Sequence, residues 1–206
     1  MTNGKILTEF LQNQFSNILT ENLWITNFSI ACNLNTGEEI CQKTGLLWEN
    51  IRASCSLPFI YPPFIRNGQL FVDGGLLNNI PVDHMRTLLG KQSFIIAANV
   101  SPTKEDKTFY NFPLVMPFSI SILARIKLFY RDFKYPPFLT TLINALLIGS
   151  SALATINAES ANLLIVPELN EYPSLGVIPD KILKLIEIGY QTTKDKLIEN
   201  RHIIPK

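Results

Sequence analysis

The chain has 206 residues, enough for one domain with a substantial core and too few to require two. Hydrophobic residues make up 47% and charged residues 17%, against about 25% charged in an average soluble domain, so there is apolar surface for a large core or for lipid. Eighteen Lys+Arg against 17 Asp+Glu leave a net charge of +1, which excludes a global electrostatic pull toward nucleic acid. Cys32, Cys41 and Cys55 contain no C-x-x-C pair and are odd in number, indicating neither a disulfide framework nor a zinc site. With a polar N-terminal segment that lacks the apolar run of a secretory signal, this points to a cytoplasmic location, with peripheral membrane contact left open.

Apolar residues from Lys5 to Leu19 recur at helical spacing and predict an amphipathic helix. Trp24 to Leu34 is rich in β-branched and aromatic residues and reads as a strand; Asn35-Thr36-Gly37 turns it, and Glu38 to Gln42 returns. A helix is expected near Leu46 to Ser54, before Pro58, Pro62 and Pro63 impose an irregular loop. Phe64-Ile65-Arg66 and Gln69 to Val72 flank Asn67-Gly68, a hairpin turn whose two residues both tolerate positive φ. Pro81 suits the first turn of a helix to about Leu88. Ser93 to Val100 reads as a strand buried on both faces, so strand, helix and strand indicate an α/β fold. Thr103 to Lys107 is a charged loop, Phe112 to Ala158 reads as two helices parted near Pro136-Pro137, Asn162 to Val166 as a short strand, and Asp180 to Ile198 as a closing helix. Phe138 to Ala158 is uncharged, but seven Ser, Thr and Asn residues and Gly149 interrupt it. That favours a buried or lipid-touching helix over a spanning one.

Val72-Asp73-Gly74-Gly75 carries the chemistry: a carboxylate projects where a strand ends, and two glycines permit a tight turn and a close backbone approach. Alone, such a triplet is more often a plain turn. Its context is more specific. Ile51-Arg52-Ala53-Ser54-Cys55-Ser56-Leu57-Pro58, then Pro62-Pro63, then Leu70 to Val82 through Asp73-Gly74-Gly75-Leu76-Leu77-Asn78-Asn79-Ile80-Pro81 resembles the patatin-like phospholipases, nearest the bacterial and neuropathy-target-esterase branch. Thr36-Gly37-Glu38 and Ala161 to Pro167 also resemble that branch, so the likeness runs from about Trp24 to Lys196.

The resemblance implies a partial patatin-like three-layer α/β fold with a mainly parallel central sheet flanked by helices. It also implies lipid acyl hydrolysis by a Ser-Asp dyad, with serine in a G-x-S-x-G elbow as nucleophile, the D-G-G aspartate as base, and no cofactor or metal. Asp73 matches the aspartate. No G-x-S-x-G occurs anywhere; Gly149-Ser150-Ser151-Ala152 lacks the spacing. The expectation is therefore a single truncated domain over 1–206 that holds the base without the nucleophile and is inactive alone. Its partners would be a lipid or phospholipid substrate and a complementing N-terminal polypeptide, not nucleic acid. A non-catalytic lipid-binding or interaction protein, or a fragment of a split gene, are the rival readings.

His84 on the short helix and His202 in the tail lack a second ligand and read as structural or solvated; Asp83, in a first helical turn, reads as a cap or dipole partner. Asn78 and Asn79 read as satisfying backbone groups around the turn. Between Phe109 and Phe138, aromatic residues interleave with Arg125, Lys127, Arg131 and Lys134, a mixture suited to a lipid interface. These four are candidate membrane contacts.

Overall fold

A computed structural model describes residues 4–100, 138–169 and 179–205. The first helix, α1, spans Lys5–Phe15, shorter than the apolar spacing suggests, because Ser16 takes a positive φ of 41° and turns the chain out of the helix. Only Leu11 of its apolar stripe is buried, while Ile6 and Phe10 face solvent. Trp24 and Ile25 are likewise exposed, so the following strand, β1, is confined to Ser29–Asn33. It pairs with β2, Glu38–Gln42. Helix α2 spans Leu47–Ser54; after the proline loop come β3, Phe64–Arg66, and β4, Gln69–Asp73. The turn between them uses Asn67 at φ 51° and Gly68 at φ 75°, the paired positive values that Asn-Gly favours.

These four strands form one sheet in the order β2-β1-β4-β3, and all three pairings are antiparallel. The expectation of a mainly parallel central sheet is thus corrected for the described residues. Parallel neighbours need a crossover of about a dozen residues, whereas the β1–β2 and β3–β4 connections are tight turns. Parallel pairing occurs where the connection is long: β5, Ile96–Ala98, pairs in parallel with β6, Leu163–Ile165. Between them lies α4, Phe138–Ser160. Nor is β5 buried on both faces, since Ala97 is buried while Ile96 and Ala98 are exposed. No described helix is long and apolar enough to cross a membrane. Helix α5 spans Ile182–Glu199 after a 3-10 turn at Pro179–Lys181.

Alternation along the strands sends Ala31 and Phe71 to one face, where they pack on Ala53 of α2 with Ile40 and Phe64. The opposite face carries Ile30, Cys32 and Val72, each under 7% exposed. Beyond β4, Gly74–Leu76 makes a single 3-10 turn, and helix α3, Val82–Leu89, begins after Pro81. A second core forms there from Ile80, Val82, Ile95, Ala97, Ala154 and Ala158. Burying such aliphatic side chains contributes about 1.5–3 kcal/mol each for the larger ones, and this core seats α4 against the turn that follows β4.

The junction of sheet and turn is tight. A Cβ on Gly74 would lie 2.3 Å from the Ile30 carbonyl oxygen and 2.4 Å from its carbon, and both belong to a paired strand that cannot retreat without breaking its ladder. Gly74→Ala is expected to cost about 3 kcal/mol or more, as overpacking against fixed backbone does. Urea denaturation checks this; a loss below about 1 kcal/mol would contradict the packing described.

Candidate active site

Asp73 is the last residue of β4, opposite Ala31 of β1. Its main-chain N–H donates to the Ser56 carbonyl at 3.1 Å, which fixes the strand end to the loop after α2. Its Oδ1 accepts from the Gly75 N–H at 2.8 Å, so the carboxylate caps the 3-10 turn that it opens. The side chain is half-buried, and among the described residues no Lys, Arg or His forms an ion pair with it. Burial is the larger influence and pushes the Asp73 carboxyl above the ordinary carboxylate range; the Gly75 hydrogen bond pulls it back only in part.

The loop that receives Asp73 is held by Arg52, a guanidinium only 3% exposed. Its Nη1 donates to Ser56 Oγ at 2.6 Å, its Nε to Thr8 Oγ1 at 3.1 Å and its Nη2 to the Pro62 carbonyl at 3.4 Å. Ser56 Oγ donates in turn to the Arg52 carbonyl at 2.7 Å. The planar fork thereby joins α1, α2 and the proline loop, and Ser56 passes that anchorage to Asp73. In the sequence Arg52 stands out only as part of a family-like string; a cation between Ile51 and Ala53 on a short helix gives no local sign that it is buried.

Cys55 stands close enough for its thiol to feel the Asp73 charge. Although the residue is exposed, desolvation first and Asp73 second push that thiol up. Reactive cysteines have lowered values, and the surroundings of Cys55 act in the opposite direction. Ser56 is fully buried and engaged with Arg52.

His84 meets Glu39 of β2 through Nε2 and Oε1 at 2.5 Å and packs its ring on Phe28, centroids 6.2 Å apart, a structural place consistent with its reading from sequence. Asp83 does more than complement the dipole of α3: its Oδ1 accepts from Asn78 Nδ2 at 3.0 Å and Asn157 Nδ2 at 3.3 Å. Arg125, Lys127, Arg131 and Lys134 lie outside the described residues.

The half-buried aspartate stands at a strand end and is followed by two glycines, the first of them packed on the neighbouring strand. Residues 1–86 match the patatin-like phospholipase family model. Over that span the chain is similar to the patatin-like phospholipases, in keeping with the resemblance read from its motifs. The matched span includes Arg52, Ser56, Asp73, Gly74 and Gly75. A patatin-like phospholipase domain-containing protein of Caenorhabditis elegans is 36% identical over 101 residues, covering 48% of this chain and 7% of that protein. An uncharacterized NTE family protein of Mycobacterium tuberculosis is 39% identical over 85 residues, 41% of this chain and 15% of its own length. Lysophospholipase NTE1 of Meyerozyma guilliermondii is 26% identical over 171 residues, 82% of this chain and 12% of that protein. The chain therefore spans no more than 15% of the length of these relatives.

The raised Asp73 carboxyl has a consequence for stability. A group that binds its proton more tightly when folded contributes stability below the unfolded carboxylate pKa, and that contribution is lost as pH rises through the higher folded value. Asp73→Asn, which keeps an oxygen for Gly75, is expected to raise the melting temperature at pH 7, with the gain shrinking toward pH 3. Thermal melts at the two pH values check it. A variant less stable than wild type at pH 7 and no less so at pH 3 would contradict the burial argument.

Proposed function

We propose that this chain supplies the aspartate of a Ser-Asp dyad in a lipid acyl hydrolase of the patatin-like kind. The serine would come from polypeptide outside these 206 residues, since no G-x-S-x-G lies within them. The observation that carries the reading is the Asp73 carboxyl itself: it sits half-buried at the end of β4, is raised by desolvation, and is held by one backbone donor with no described cation beside it.

Such a group suits a general base. A carboxylate paired with arginine is stabilised as the anion and gains little from taking a proton, whereas a desolvated, unpaired one gains more. In the proposed cycle the serine hydroxyl transfers its proton to Asp73 as its oxygen attacks the ester carbonyl of a lipid. The proton then passes to the leaving alcohol, giving an acyl-serine that water hydrolyses by the same route reversed. With the Gly75 N–H on Oδ1, Oδ2 would be the oxygen that takes the serine proton. The relatives' names, patatin-like phospholipase and lysophospholipase, support a phospholipid or lysophospholipid ester as the substrate class.

A fluorogenic acyl-ester assay on the purified chain, with and without a polypeptide bearing the patatin-type serine segment, tests the proposal. Turnover is expected only with both present, and Asp73→Asn should lower it at least about a hundredfold, the lower range for loss of a general base. Robust turnover by the 206 residues alone would overturn it.

A further inference from the structure

Beyond the Asp73 turn the structure builds a second polar cluster out of residues far apart in sequence. Asn78 and Asn157 are 2% and 5% exposed, and buried amides of this kind persist only when their hydrogen-bonding groups are met. The Asn78 main-chain N–H donates to the Gly74 carbonyl at 2.9 Å, closing the turn that Asp73 opens. Its side-chain Oδ1 accepts from Asn157 Nδ2 at 3.1 Å, and its Nδ2 donates to Asp83 Oδ1 at 3.0 Å and Glu39 Oε1 at 3.2 Å. Asn157 Nδ2 also reaches Asp83 Oδ1 at 3.3 Å. One amide thus gathers β2, α3 and α4 at the far end of the turn whose near end is the Asp73 carboxylate.

Three constraints set that carboxylate: the Gly74 contact on Ile30, the Gly75 donor, and the closure from Asn78 to Gly74. The first two are local to the strand end and its turn. The third depends on where Asn78 sits, and one of the groups that hold Asn78 is Asn157, on a helix that begins sixty residues later in the chain.

We propose that Asn78 and Asn157 are positioning residues: Asn157, acting through Asn78, makes the seating of α4 set the aim of the Asp73 carboxylate. The inference rests on reading Asp73 as a base. Its test reads the geometry of the turn rather than turnover, so either can fail without the other.

Amide hydrogen exchange and carboxyl-carbon NMR on the full chain decide it. Asn157→Leu keeps approximate volume and removes both donors. The Gly75 and Asn78 amides should then exchange about tenfold faster, as expected for a local loss of one or two hydrogen bonds, while Ala31 and Ile40 in the sheet stay unchanged. The Asp73 titration midpoint should rise, because a loosened Gly75 donor favours the anion less. If that variant does not fold, Asn157→Ser retains one donor and should show the same pattern at about threefold. Unchanged Gly75 exchange and Asp73 titration in a folded variant would overturn the proposal. So would acceleration shared equally by the sheet amides, or failure of both variants to fold, since Asn157 would then serve packing alone.

Discussion

The turn after β4 can lie against β1 because Gly74 has no Cβ; the Ile30 carbonyl occupies the space that any side chain would need. Much follows from that contact. It lets the strand end abruptly, so that the Asp73 side chain projects from the sheet instead of being followed by another ladder residue. It brings the Gly75 N–H within 2.8 Å of the carboxylate. It also starts the tight turn that delivers Asn78 to a buried position between β2, α3 and α4.

Around this corner the protein treats its charges unequally. Arg52 is buried deeply but meets oxygen acceptors on three sides and joins three segments of chain. Asp73 is less buried, yet has a single backbone donor and no described cation. One group has its hydrogen-bonding capacity used for architecture, and the other is left short of full compensation. Under-compensated groups cost stability and are concentrated at sites of chemistry. The difference between the two residues is the physical ground for proposing a chemical role for Asp73 and an architectural one for Arg52.

Local features were legible in the sequence where one or two residues decide the backbone. Asn67-Gly68 announced the β3–β4 hairpin because few other pairs accept two positive φ values, and the helices at Leu47–Ser54 and Ile182–Glu199 fell close to their apolar spacing. Strand direction was less legible, since apolar patterning fixes which face is buried and says nothing of which neighbour pairs. The run Ser93 to Val100 shows the limit: its composition suits a strand covered on both sides, while only Ile96–Ala98 forms one and Ile96 is 47% exposed. The Asp73 corner was found through its neighbours in sequence. The Asn78–Asn157 link was not, because its partners stand 79 residues apart. Asn157 is one of several polar residues on that helix, and nothing in the sequence singles it out as the buried one.

The central claim is that Asp73 activates a serine carried by polypeptide outside these 206 residues. Labelling with a fluorophosphonate, which reacts with activated serines, tests it most directly when the chain is mixed with a polypeptide bearing the serine segment. Label is expected on the added polypeptide only in the presence of this chain, and none when Asp73→Asn replaces the wild type. Label on the 206-residue chain itself, or labelling of the added polypeptide that survives Asp73→Asn, would contradict it.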